Sequence, residues 1–145
     1  MLKSYNLLLA DDDLDDCNFF KEALEELNLT TSIRIVNDGV ELMQLLLQNG
    51  FLLPDVIFLD INMPQKNGFE CLLEIKRNDK LKQIPVIIIS TSFDKKAVDQ
   101  FYENGAHYYI RKPTEFSQLK LAIQKSLLYI SESNTAHPEL INFVI

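Results

Sequence analysis

The feature that most constrains this chain is Val56-Ile57-Phe58-Leu59, an unbroken apolar run entered through Pro54-Asp55 and stopped by Asp60. A strand with one wet face alternates apolar and polar side chains. A short run without alternation describes a strand buried on both faces, as in a parallel sheet. The chain then turns through Met63-Pro64 and Asn67-Gly68, both turn signals. In open α/β sheets the chemistry sits at the carboxyl ends of strands, so Asp60 stands where a reacting group is expected. The plainer reading is an aspartate that starts a turn or caps a helix.

Runs of the same kind recur. Leu7-Leu8-Leu9-Ala10 reads as a first strand, Ser32-Ile33-Arg34-Ile35-Val36 as a second, Val86-Ile87-Ile88-Ile89 as a fourth and His107-Tyr108-Tyr109-Ile110 as a fifth. Between them, apolar residues return at three- and four-residue spacing, the mark of amphipathic helices. Leu14, Cys17, Phe20, Leu24 and Leu27 predict a first helix, stopped at Asn28. Val40 to Leu47 predict a second ending at Asn49-Gly50, and Phe69 to Arg77 a third. Ala97 to Phe101 predict a fourth, with Asp94 as its cap and Asn104-Gly105 as its end. Leu119, Ile123, Leu127 and Ile130 define the last. Strict alternation of strands and helices requires helical crossovers, hence a parallel sheet covered on both faces. The fold class is α/β, doubly wound.

The chain of 145 residues suffices for one domain with a substantial core. A net charge of −7 and a pI near 4.8 argue against sequence-independent nucleic-acid binding, which needs a basic face. No run approaches a membrane span, and the first residues lack a signal-peptide pattern. The expected location is the cytoplasm, where Cys17 and Cys71 are buried or half-buried thiols.

In a parallel sheet every carboxyl end points to one edge, so residues that terminate different strands converge. The first strand ends in Asp11-Asp12, the third in Asp60, the fourth in Ser90 and the fifth in Lys112. Carboxylates a few ångströms apart repel and raise one another's pKa. A hard divalent cation with oxygen ligands relieves this, and Mg²⁺ is commonly held by one or two carboxylates plus a phosphate. Taken singly, each residue has a bland alternative: a solvated helix start, a turn serine, an exposed loop lysine. Four of them at four strand ends favour the joint reading.

Those residues resemble the receiver domain of two-component response regulators, from about Tyr5 to about Ile130. The likeness rests on Leu7 to Asp13, Asp60-Ile61-Asn62-Met63-Pro64 with Gly68 following, Ser90-Thr91, and Lys112-Pro113. The form around Asp60 and the short tail are similar to the small stand-alone regulators paired with bacterial phytochromes. The resemblance implies a flavodoxin-like (βα)5 fold with strand order 2-1-3-4-5. It implies that Asp60 accepts a phosphoryl group from a sensor histidine kinase, one of phytochrome type under the narrower match. Asp12, Asp60 and the Asn62 carbonyl would bind Mg²⁺ (or Mn²⁺) directly, with Asp11 acting through water. Lys112 would neutralise a phosphoryl oxygen, Ser90 would bond the phosphoryl group, and Lys112-Pro113 would be a cis peptide. Ser90 and Tyr109 would form the switch, which alters the surface of the fourth helix, fifth strand and last helix. Asn62 and Ser92 occupy positions that influence hydrolysis in the family. Beyond this self-phosphorylation chemistry no enzyme activity is implied.

Residues 1–130 are thus expected to form the receiver domain and 131–145 a short tail without an output domain. The tail runs from a polar linker, Ser131 to Pro138, into Glu139-Leu140-Ile141-Asn142-Phe143-Val144-Ile145. An exposed apolar end invites aggregation. It is therefore expected to pack on its own domain or on a second copy, with disorder as the third option. Beside its kinase, the expected partner is a downstream protein or a phosphotransfer protein, with a homodimer allowed by the tail and neither nucleic acid nor membrane bound directly. Two other readings fit the pattern less well. A haloacid-dehalogenase-type phosphatase needs a second carboxylate two residues after the first, where this chain has Asn62. A receiver-like interaction module that is never phosphorylated has no need of the set Asp11, Asp12, Asp60, Ser90 and Lys112.

Overall fold

The structure is a computed structural model that describes residues 4–27, 29–133 and 136–145. The stop expected at Asn28, and Asn134-Thr135 of the linker, lie outside the described residues. Strands β1 (Ser4–Ala10), β2 (Thr30–Val36), β3 (Val56–Leu59), β4 (Val86–Ser90) and β5 (Tyr108–Arg111) alternate with helices α1 (Leu14–Glu26), α2 (Gly39–Leu46), α3 (Gly68–Arg77), α4 (Lys95–Glu103) and α5 (Phe116–Ser133). All strand pairs are parallel and the order is β2-β1-β3-β4-β5, as expected.

The helices start where the sequence supplies caps. Asp13 accepts from the Asp16 amide at 3.0 Å and Asp38 from the Glu41 amide at 2.7 Å. Asn67 and Glu70 form a reciprocal capping box at the head of α3. Asp94 occupies the cap position of α4 but makes no side-chain cap bond.

Alternation along the strands splits the core in two. Leu7, Leu9, Val56, Phe58, Ile87, Ile89, Tyr108 and Ile110 pack with α1 and α5. Leu8, Ala10, Ile57, Leu59, Val86, Ile88 and Tyr109 pack with α2, α3 and α4. Tyr108 and Tyr109 thus face opposite sides, as strand geometry requires. Cys17 and Cys71 are buried free thiols, and burial pushes them up to about 11 and about 12 respectively. Among the described residues no helix is long and apolar enough to cross a membrane.

The tail packs on its own domain. A short 3₁₀ turn, Leu140–Asn142, delivers Phe143 into the α4 side of the core, where it is fully buried. Its ring lies 5.1 Å from that of Tyr102 and 6.3 Å from that of Tyr109. Val144 forms a parallel bridge with Tyr109. The Tyr109 amide donates to the Phe143 carbonyl at 3.0 Å, and the Ile145 amide to the Tyr109 carbonyl at 2.9 Å. Within the linker, the exposed His137 stacks on Tyr102 at 4.4 Å, and the Tyr102 hydroxyl donates to the Pro138 carbonyl at 2.7 Å. The sheet's β5 edge is therefore covered by its own chain, which removes an open pairing template.

Candidate functional site

Asp11, Asp60 and Lys112 are each held by one more ladder bond beyond their strands. The Asp11 amide donates to the Val36 carbonyl at 3.0 Å, Asp60 to Ala10 at 2.9 Å and Lys112 to Ser90 at 2.8 Å. Continuing the alternation, Asp11, Asp60 and Lys112 share parity with Leu9, Phe58 and Ile110, on the α1/α5 side. Ser90 shares parity with Ile88, on the side of Tyr109 and α4.

Asp11 and Asp60 are buried and Asp12 is exposed; one carboxylate oxygen of each lies within 4.8 Å of the others. Octahedral Mg²⁺ binds oxygen at about 2.0–2.1 Å, so ligands across the ion are about 4 Å apart. Three convergent hard-oxygen donors on a rigid sheet edge fit such an ion. Asn62 lies exposed two residues beyond Asp60.

Lys112 enters this cluster from β5. Its Nζ lies 2.9 Å from Asp11 Oδ2, 2.8 Å from Asp16 Oδ2 and 3.6 Å from Asp60 Oδ2. Burial acts to lower the lysine pKa, but hydrogen bonds to Asp16 and Asp11 and the field of Asp60 outweigh it and hold the pKa above the usual value. For Asp60, burial and then the Asp11 charge raise the carboxyl to about 7, against the opposing pull of Lys112. Beside the lysine, a cavity of about 300 Å³ opens between α1 and α5, lined in part by Asp16, Phe19, Lys112 and Leu119.

Ser90 is fully buried, and its Oγ accepts from the Ser92 amide at 3.1 Å. The Tyr109 ring is enclosed by Phe93, Phe101 and Phe143, and its hydroxyl donates to the Ser92 carbonyl. Burial raises its pKa, opposed by a side-chain bond with Ser90.

The loop after Asp60 is shaped by close backbone approach. A Cβ on Gly68 would fall 2.3 Å from the Asp60 carbonyl oxygen and 2.8 Å from Ile61 Cα, and the Gly68 amide donates to the Ile61 carbonyl at 2.8 Å. Only glycine permits α3 to begin against the back of the Asp60 segment. The positive φ of the loop falls on Gln65, at 69°, a position the sequence did not flag.

One expectation is corrected. The Lys112-Pro113 bond is trans, and no peptide bond among the described residues is cis. Trans is the intrinsically favoured isomer of Xaa-Pro by about 0.5–1 kcal/mol. The Lys112 amide continues the β4 ladder, and α5 begins at Phe116. The sequence reading also missed Asp16, which it left in an acidic cluster. Its signal is positional, in the first turn of the helix that follows Asp11.

The sequence matches the family description "Response regulator receiver domain" over residues 7–124. Response regulator Rcp1 of Synechocystis sp. is 34% identical over 122 residues, covering 81% of this chain and 83% of that protein. Among solved structures, the phosphorylated cyanobacterial phytochrome response regulator RcpA superposes with a TM-score of 0.79 at 32% identity, covering 94% of this chain and 100% of the other. The Mn²⁺-bound form of Rcp1 does so with a TM-score of 0.76 at 33% identity, covering 83% and 90%. The topology, the convergent strand ends and these similarities agree: the chain belongs to the response regulator receiver family.

Proposed function

We propose that this chain is a phosphorylation-controlled switch whose phosphoacceptor is Asp60, with Mg²⁺ or Mn²⁺ held by Asp11, Asp12, Asp60 and the Asn62 carbonyl. One observation carries the reading: three carboxylates meet within 4.8 Å at the sheet edge with the Lys112 ammonium beside them. The similarity to a Mn²⁺-bound and a phosphorylated relative supports it.

When bound, the cation supplies positive charge between the carboxylates and an incoming phosphoryl group. The rest belongs to the chain. A carboxylate oxygen of Asp60 attacks the phosphorus of a phosphohistidine; the new O–P bond forms as the P–N bond breaks, and the imidazole leaves. Such transfer is largely positioning and charge neutralisation. Lys112 neutralises a phosphoryl oxygen on the α1/α5 side. Ser90, on the α4 side, turns its hydroxyl from the Ser92 amide to the phosphoryl group. Tyr109, bonded to Ser92, carries that change to α4, β5 and α5. The donor is a sensor histidine kinase, of phytochrome type by analogy with the relatives, and the product is a signalling state rather than a released metabolite. A downstream protein or a phosphotransfer protein reads it.

The test is intact mass after incubation with acetyl phosphate and Mg²⁺, beside Asp60→Asn. One added phosphoryl group, removed by hydroxylamine and absent from the mutant, is the expected result. No adduct from acetyl phosphate or from a phosphorylated kinase domain would overturn the proposal and leave an interaction module.

A further inference from the structure

Asp16 has no part in the chemistry just described, yet it makes the shortest contact to Lys112, at 2.8 Å. We infer that Asp16 is a positioning residue for Lys112, holding the ammonium off the Asp60 carboxylate while leaving it within reach of a phosphoryl group carried there. The inference rests on the phosphoacceptor reading and adds a residue to it.

The geometry restricts the lysine at both ends. Its backbone is pinned to β4 by the 2.8 Å bond to Ser90. Asp16 sits in the first turn of α1, where Asp13 caps its amide at 3.0 Å and the Cys17 amide bonds the Asp13 carbonyl at 3.0 Å. An ammonium has three N–H donors. Asp16 and Asp11 engage it at 2.8 and 2.9 Å, whereas Asp60 at 3.6 Å is beyond hydrogen-bond distance. Asp60 is therefore not engaged by a lysine hydrogen bond, and a phosphoryl group on Asp60 would extend into that gap.

Without Asp16 the charge balance changes. The counter-charges left to the mostly buried ammonium are Asp11 and Asp60, at 3% and 7% side-chain exposure. These are two of the three carboxylates that converge as cation ligands. Lys112 then relaxes onto them and competes with the divalent ion. Asp16 is well placed to prevent this because it is partly exposed, at 41%, and outside the ligand cluster. It draws the ammonium aside without joining the site.

The test is Mn²⁺ affinity of the full chain, followed by the paramagnetic resonance of free Mn²⁺, in a double-mutant cycle. Asp16→Asn is expected to raise the Mn²⁺ Kd by roughly two- to fivefold, the range of a half-exposed ion pair. In a Lys112→Gln background the same change is expected to leave Kd unaltered. A purely structural aspartate, or one acting on the metal through its charge alone, would give equal shifts in both backgrounds. Equal shifts, or no shift in the wild-type background, overturn the inference. If the wild type binds no Mn²⁺, or binds it equally well after Asp60→Asn, the metal site fails and the inference with it. Loss of binding in Asp60→Asn together with indifference to Asp16 removes the inference alone.

Discussion

Asp60 should make the metal-free protein less stable as the pH rises, and replacing it should reverse that. In the folded chain its carboxyl is raised from the ordinary 3.8 to about 7 by burial and by Asp11, against the opposing pull of Lys112. Between those two values the native state keeps a proton that the unfolded chain has released. Stability therefore falls with rising pH across this window, by at most about 1.4 kcal/mol per pH unit, and the loss is complete above pH 7. Its ceiling is roughly 4 kcal/mol, a large part of the 5–15 kcal/mol typical of a domain. Asp60→Asn removes the titrating group at nearly constant shape. Urea unfolding in EDTA from pH 4 to 8.5 is the assay, read as the difference between mutant and wild type, which cancels groups not coupled to Asp60. The two should be close in stability near pH 4, with the mutant more stable by up to that ceiling at pH 8. Saturating Mg²⁺ at pH 8 should then stabilise the wild type by about 2.7 kcal/mol for each hundredfold excess over Kd, and leave the mutant unmoved. A pH-independent difference, or a mutant less stable than wild type at pH 8, would refute the electrostatic account of the site.

Two further substitutions test the frame around it. Phe143→Ala empties a fully buried ring site between Tyr102 and Tyr109; such truncations remove about 3–5 kcal/mol from docked packing. Because the tail can release locally, the effect should appear as faster hydrogen exchange at the Tyr109 and Ile145 amides, with a smaller change in the urea midpoint. Unchanged exchange would mean the tail is not held by this ring. Gly68→Ala sets a methyl 2.3 Å from the Asp60 carbonyl oxygen, so the strand end must shift. A stability loss of about 1–3 kcal/mol and weaker Mn²⁺ binding are expected; wild-type affinity would show that the loop yields without moving Asp60.

The parts of the fold legible in the sequence are those that one-dimensional patterns control. Apolar runs marked the strands and their polar terminators marked the site, because a parallel sheet sends every carboxyl end to one edge. Caps were less legible: Asp94, read as a cap, makes no side-chain cap bond, whereas Asp13, Asp38 and Asn67 do. The isomer at Pro113 was not legible, since the two isomers of an Xaa-Pro bond differ by only about 0.5–1 kcal/mol. Asp16 was hidden as well. It lies five positions after Asp11, but its partner Lys112 is 96 positions away, and nothing local distinguishes it from an acid favoured by the helix dipole. Phe143 stood in an apolar end whose destination no spacing specifies.

That last residue bears on the proposed switch. The pleat separates the site into a charged half, with Asp11, Asp60 and Lys112 toward α1 and α5, and a hydroxyl and aromatic half, with Ser90 and Tyr109 toward α4. On an open β5 edge, Tyr109 would have its outward backbone groups in water and its ring bordered by α4 alone. Here its amide and carbonyl are both bonded to the tail, and its ring packs on Phe143. Tyr109 is an interior residue in every respect, so its side chain cannot change position without disturbing a ring that is itself fully buried. Under the proposed switch, a rearrangement passing from Asp60 through Ser90 to Tyr109 would reach residues 143–145. The exposed face beside β5 is built from the tail as well as from α4 and α5, with Ile141 and Val144 exposed upon it.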